Sequence, residues 1–396
     1  MRTPFSVFLI CISSMLLPPL HLMAESEAIE MGPRGVSNFL AHIEKEKKAH
    51  VAFLGGSITQ NAKGHSKMVA DWMSERWPEV EFTFTNAGLS STCSVSGAFR
   101  IKEDVLSKGD VDLLVVEFAV NDDQDAMHDR QTAIRGLEGI LRRYFAANPE
   151  GDAISVQYVN PGILETIQNG ETAVSVEAHK TVARHYGVPI VDVGQALAEE
   201  IAAGRMTWEE DYKGTHPNET GYRFASGLIT SVVEGSKAAG GPRTIELPDP
   251  IDALSYESVY RVSPEEWNWL GGWRYEPVSR DLLPEGAIRD DYTRFRGLRS
   301  DSAGDYLYYS FAGKTLGAFI LAGPDAGALE VSVDGGDWRK VELFHRFSKS
   351  LNYPRSVILA DGLSPVYHQI AVRTANSGNG ESKGGSATIL YFTVNP

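Results

Sequence analysis

The sequence predicts an α/β fold: a three-layer α/β/α arrangement on a five-stranded parallel sheet, followed by a C-terminal antiparallel β-sandwich. Three observations carry this. Short continuous apolar runs alternate with amphipathic helical stretches up to about residue 235, the pattern of parallel strands covered on both faces. After Gly240-Gly241-Pro242, strand-like segments alternate with turns and no long helical face recurs. Between two of those segments, Asp334-Gly335-Gly336 is a hairpin turn signal.

In chain order, Arg2 precedes an apolar run from Phe5 to Leu17, and Leu22-Met23-Ala24 before Glu25 resembles a cleavage site. Pro18 and Pro19 end the run early, so it is short for a membrane span. Residues 1–24 are therefore expected to be a signal peptide, and the protein to be secreted or periplasmic with no stable membrane insertion. Val36, Phe39, Leu40 and Ile43 recur at helical spacing. Val51-Ala52-Phe53-Leu54 is the first buried strand, ended by Gly55-Gly56 and presenting Ser57 where open α/β sheets place their ligands. Met68, Trp72 and Met73 mark a helix, Phe82 and Phe84 a second strand, and Ala98 to Leu106 a short helix. Leu113 to Phe118 is the third strand. Ile134, Leu137, Leu141 and Phe145 line one face of a helix, with Arg142 and Arg143 near its C-terminal end, where the dipole favours them. Ile154, Val156 and Tyr158 give the fourth strand and Val188 to Val193 the fifth, with a helix from about Thr172 to Tyr186 between them. The last helix starts near Asn218 and runs through Val233. The expected division is 25–240 for the α/β domain and 241–396 for a linker and the β-sandwich, although the Trp- and Tyr-rich stretch from about 244 to 299 fits neither pattern.

Composition limits the function. The 396 residues carry 52 acidic against 37 basic side chains, a net charge of −15. A chain with no basic surplus cannot neutralise a row of phosphates, so no nucleic-acid partner is expected. Cys93 is the single cysteine after the leader, which rules out an internal disulfide; in a loop without a local partner it reads as a bystander. The remaining histidines show no metal-ligand spacing, so neither a metal nor a cofactor is expected. His179 and His185 are expected as surface or packing residues of a helix, and Asp122, Asp123 and Asp125 as a solvated acidic loop.

Four separated blocks then converge on one chemistry: Gly55-Gly56-Ser57-Ile58-Thr59, Asn86-Ala87-Gly88, Val120-Asn121-Asp122 and Gly214-Thr215-His216-Pro217-Asn218. In this order they resemble the motif blocks of the SGNH, or GDSL-like, hydrolase family, and the resemblance spans about residues 35 to 235. It implies a flavodoxin-like sheet, Ser57 as nucleophile, His216 as its base, and an oxyanion hole from the N–H groups of Ser57 and Gly88 and the Asn121 amide. The chemistry is coherent, because a serine hydroxyl needs an adjacent base at neutral pH and a tetrahedral oxyanion needs aimed donors. Two positions depart from the family pattern. Ala119 stands where the asparagine block usually begins with Gly, and Lys213 stands where an Asp is usual, three residues before the histidine. Asp211 turned inward, a backbone carbonyl, or nothing at all is then left to orient His216.

The resemblance implies a serine esterase. Export and the appended sandwich, an accessory module that resembles the jelly-roll domains accompanying carbohydrate esterases, point it to removing small acyl groups, acetyl first, from an acylated carbohydrate partner. Trp267, Trp269 and Trp273 either bind glycan there or pack an interface. The alternatives are a catalytically weak glycan-binding protein of the same fold, and a lipase or thioesterase.

Overall fold

The computed structural model describes residues 28–238 and 244–396; the expected leader lies outside them. The first half contains strands β1 (Ile29–Glu30), β2 (Lys48–Gly55), β3 (Glu81–Gly88), β4 (Leu113–Glu117), β5 (Asp152–Gln157) and β6 (Ile190–Asp192). They form one sheet in the order β1-β6-β5-β4-β2-β3. β2 to β6 pair in parallel, as their continuous apolar runs require. The sheet has six strands where five were expected. The extra one, β1, pairs antiparallel with β6 through Ile29 and Val191. Two residues are too few to show any periodicity, so only the register reveals it.

The helices are α1 (Ser37–Glu46), α2 (Ser57–Gln60), α3 (His65–Arg76), α4 (Ser94–Asp104), α5 (Arg130–Ala147), α6 (Pro161–Gln168), α7 (Val174–His185), α8 (Val193–Ala202) and α9 (Glu219–Gly235). One apolar cluster joins α1, α3 and α9 to the sheet, and a second joins α4, α5 and α7 to its other face. Helices α2, α6 and α8 were not anticipated. Pro161 at the first turn and Asn160, whose Oδ1 accepts from Ile163 N at 2.7 Å, start α6 directly from a strand end.

The second half holds β7 (Tyr260–Val262), β8 (Asn268–Leu270), β9 (Arg274–Pro277), β10 (Arg296–Ser300), β11 (Tyr306–Ala312), β12 (Thr315–Ala322), β13 (Ala328–Val333), β14 (Arg339–Glu342), β15 (Tyr353–Ala360), β16 (Tyr367–Ala375) and β17 (Ala387–Asn395). One antiparallel sheet runs β15-β12-β17-β10-β9 with β7 also on β17, and the other runs β14-β13-β16-β11-β8. Asp334 (φ 52°) and Gly335 (φ 73°) take positive φ at the tip of the five-residue connection from β13 to β14, in a turn closed by Gly336 N on Val333 O at 2.9 Å. Trp267 and Trp273 are buried in the core between these sheets, and the Trp267 ring lies 3.8 Å from that of Phe392. Trp269, partly buried, packs on the same cluster. The two buried indoles build the sandwich core and do not pack the interface between the halves.

The first part of the unplaced stretch, up to β7, is a joint between the halves, and the rest supplies β7 to β10 of the sandwich. Glu138 on α5 accepts the backbone N–H of Ile251 (2.6 Å) and of Asp252 (3.0 Å). Arg135 on the same helix bridges Asp252 and Asp361, so it ties the joint to the sandwich. Further along, Val278, Leu282, Leu283 and Tyr292 close over Leu89 in a shared apolar cluster. No helix among the described residues is long and apolar enough to cross a membrane.

Candidate active site

Ser57 begins α2 directly after β2, on a turn held by buried groups. Glu117, at the end of β4, accepts at Oε1 from Gly56 N (3.1 Å), Thr59 N (3.2 Å) and Thr59 Oγ1 (2.6 Å). On the other side Arg100, 1 % exposed, donates to the carbonyls of Gly55 (2.8 Å) and Ala87 (2.7 Å). Burial pushes the Glu117 carboxyl up to about 7, against the lowering effect of the Thr59 and Gly56 donors. Space forbids side chains here. A Cβ on Gly88 would lie 2.2 Å from Gln60 N, and one on Gly56 would lie 2.1 Å from Asn121 Oδ1.

His216 comes from the far side, in the loop before α9. Asn218 caps that helix, its Oδ1 accepting from Gly221 N at 3.0 Å, and its own N–H reaches Tyr212 O at 2.9 Å. Nε2 of His216 lies 2.7 Å from Ser57 Oγ. At that distance a neutral imidazole can take the hydroxyl proton. Nδ1 of His216 has no hydrogen-bond partner among the described residues. Asp211 is not behind it: its Oδ2 accepts from Thr207 N (2.7 Å) and Thr207 Oγ1 (3.3 Å), closing its own turn. Lys213, at the family's Asp position, is exposed with φ 77° and forms no ion pair among the described residues.

The three expected oxyanion donors stand in different states. The Ser57 N–H, first of α2, has no partner among the described residues. Asn121 opens a wide helical turn, Asn121–Asp125, in which Ala126 N reaches back to Asn121 O at 2.8 Å. Its Nδ2 donates one hydrogen to Asp125 Oδ2 at 2.6 Å and keeps a second. The Gly88 N–H instead meets Asn86 Oδ1 at 2.9 Å. Asn86 is itself fixed, its Nδ2 donating to Thr59 O (2.8 Å) and Ser66 Oγ (2.9 Å).

The acidic loop after Asn121 is not solvated, as the sequence suggested. Asp122 is fully buried and accepts from Ser94 N (2.8 Å), Ser94 Oγ (2.6 Å) and His179 Nε2 (2.9 Å). His179 is accordingly an interior partner at 1 % exposure. Cys93, Asp122 and His128 bring one ligand-type atom each within 4.8 Å of one another, the described grouping that offers a metal-ligand set. Against the effect of burial, Asp122 and Cys93 hold the His128 imidazole up at about 10. Behind the Asn121 turn, His345 from the sandwich meets the Asp125 carbonyl at 2.8 Å through Nε2.

Ser57, Asn121 and His216 line a cleft of about 470 Å³. Its opposite wall is built by the second half, through Arg289, Arg346, Phe347, Lys349 and Tyr353. None of these was singled out from the sequence, because nothing local ties a sandwich loop to a strand end. Glu117 had a local signal: an ionisable residue closing an apolar strand.

A serine bonded to a histidine at the carboxyl edge of a parallel sheet, beside a free helix-start N–H, defines a hydrolase of the α/β/α type. Residues 53–224 match the model of the GDSL-like Lipase/Acylhydrolase family, and the protein is a hydrolase of ester bonds. Among solved structures, a two-domain esterase (CEX) active on acetylated mannans shares the fold of both halves. The match has a TM-score of 0.73 at 22% identity, over 92% of this chain and 96% of that one. The same esterase co-crystallised with mannopentaose gives a TM-score of 0.72 at 22% identity, over 92% and 95%. A comparison with curated protein sequences returned no match.

Proposed function

We propose that this protein is an exported serine esterase that removes small acyl groups, acetyl above all, from carbohydrate. The observation that carries the reading is the 2.7 Å contact between Ser57 Oγ and His216 Nε2 inside the cleft. Ser57 Oγ attacks the acyl carbonyl while Nε2 takes its proton. The oxyanion is met by the Ser57 N–H, the second hydrogen of Asn121 Nδ2, and the Gly88 N–H once it leaves Asn86. One such donor is worth about 2.7–4 kcal/mol in the transition state. His216 then returns the proton to the departing sugar oxygen, and water, activated by the same imidazole, releases the acid and frees Ser57.

The base works as a Ser–His dyad. Asp211 is occupied by Thr207, and no carboxylate among the described residues meets Nδ1. Carbohydrate is favoured by the apolar N-terminal run, which suits export, and by the two-domain relative active on acetylated mannans. The test compares the wild type and Ser57→Ala on acetylated aryl esters and acetylated polysaccharides. Acetate release should fall by about 10⁵–10⁶ in the variant. Glycan binding with no Ser57-dependent release would replace the esterase by a binding protein of the same fold.

A further inference from the structure

The cleft differs in charge from the chain around it. The protein has 15 more acidic than basic side chains. Yet the cleft sets Arg289, Arg346 and Lys349 against a single carboxylate, Asp125, among its described lining residues. That carboxylate is committed: Oδ2 accepts from Asn121 Nδ2 (2.6 Å) and Oδ1 from Gln124 Nε2 (3.2 Å). Burial raises its pKa, against the lowering effect of the Asn121 and Gln124 donors and of the more distant Arg346 charge. Lys349 pairs outward with Glu381 at 2.6 Å.

The two arginines are the unspent charges. Neither has a carboxylate within ion-pair distance among the described residues. Arg289, half-buried, is pinned by one donation to Ser91 Oγ at 2.6 Å. Arg346 donates to the Gln124 carbonyl and lies 4.9 Å over the Phe347 ring. Each guanidinium has five N–H donors, so most remain available after one anchoring bond. Two anchored, unpaired forks facing one cleft match the planar bidentate geometry of a carboxylate. They also offset the repulsion that a chain of this net charge exerts on an anion approaching from a distance.

We propose that the cleft takes an acidic glycan: an acylated saccharide whose carboxylate, of the hexuronic kind, is held by Arg289 and Arg346 while its ester reaches Ser57. The proposal rests on the esterase reading, because it names the substrate of the same site. It makes the sandwich half a specificity element, since both arginines belong to that half.

The test uses the full chain and two substrates matched at the acyl position, acetylated methyl glucuronide and acetylated methyl glucoside. Wild-type kcat/KM should favour the glucuronide by about tenfold or more, mostly through KM. The preference should shrink in about 0.5 M NaCl. In the double variant Arg289→Ala/Arg346→Ala the ratio of the two kcat/KM values should fall toward unity. Equal wild-type values, or an unchanged ratio in the variant, would overturn the proposal while leaving the esterase intact. Calorimetry on Ser57→Ala separates the two readings. Glucuronate binding that Arg289→Ala/Arg346→Ala abolishes supports the charge assignment even if no ester is turned over. Tighter binding of glucose 6-sulfate than of glucuronate would overturn the carboxylate assignment.

Discussion

The two sides of the cleft are built to different standards. On the nucleophile side, the turn carrying Ser57 is clamped by Glu117 and Arg100, and Gly88 packs directly on the backbone of α2. On the base side, His216 is exposed, on a loop between the left-handed Lys213 and the cap of α9, and its ring meets only Ser57 Oγ among the described residues. The contrast teaches where precision has been built in. The attacking oxygen and its neighbouring N–H groups cannot shift without moving two strands, whereas the imidazole can adjust to proton transfer.

The contrast can be tested from its strongest point downward. Gly88→Ala should do most harm, because the added methyl meets Gln60 N and Cα at 2.2 and 2.5 Å, backbone that cannot yield unless α2 moves. A stability loss of about 1–3 kcal/mol in urea unfolding is expected from such overpacking. A fall of about 100-fold in kcat/KM should accompany it as the nucleophile moves. Unchanged kinetics would show that the nucleophile side tolerates motion after all.

Glu117→Gln comes next and reads through pH. The folded-state value is raised from 4.5 to about 7, so between these values the native protein binds more protons than the unfolded chain. This group's contribution to stability is therefore complete below about pH 4.5, declines as pH rises toward 7, and is flat above. Glutamine keeps the acceptor oxygen and cannot ionise. The variant should gain stability relative to wild type across that window, measured as the difference in urea midpoints. A pH-independent difference would mean that Glu117 titrates normally.

Asp211→Asn should do least. Asparagine retains an acceptor for Thr207 N, so stability should change by less than about 1 kcal/mol and kcat/KM by less than about threefold. If the rate instead fell as far as in His216→Ala, the aspartate would have to reach the histidine during turnover, and the loosely held base would be an error.

Much of the α/β half was legible because its strands are continuous apolar runs, such as Val51–Leu54 and Leu113–Val116, ended by turn residues. The site was legible as four blocks at strand and helix ends. What escaped was everything made by distant partners. Asp122 looks like one of several loop acids until His179, fifty-seven residues on, is seen against it. Arg289 and Arg346 carry no periodicity that would aim them at a serine more than two hundred residues earlier. Asp211 was drawn toward His216 by motif position, but a nearer backbone N–H at Thr207 took it, the ordinary competition of a short acidic side chain with its own turn.

The shared cluster around Leu89 has a consequence for inheritance. Leu89 follows the last residue of β3, but its buried apolar neighbours Val278, Leu283, Phe319 and Tyr391 come from the second half. Ser96 of α4 likewise meets Ser356 of β15 at 2.7 Å. A sandwich appended by a tether can be exchanged between genes like interchangeable cargo. This one cannot leave without stripping the floor from under the strand end that carries Gly88 and removing a wall from the cleft, so the two halves would be expected to descend, and to diverge in substrate, together.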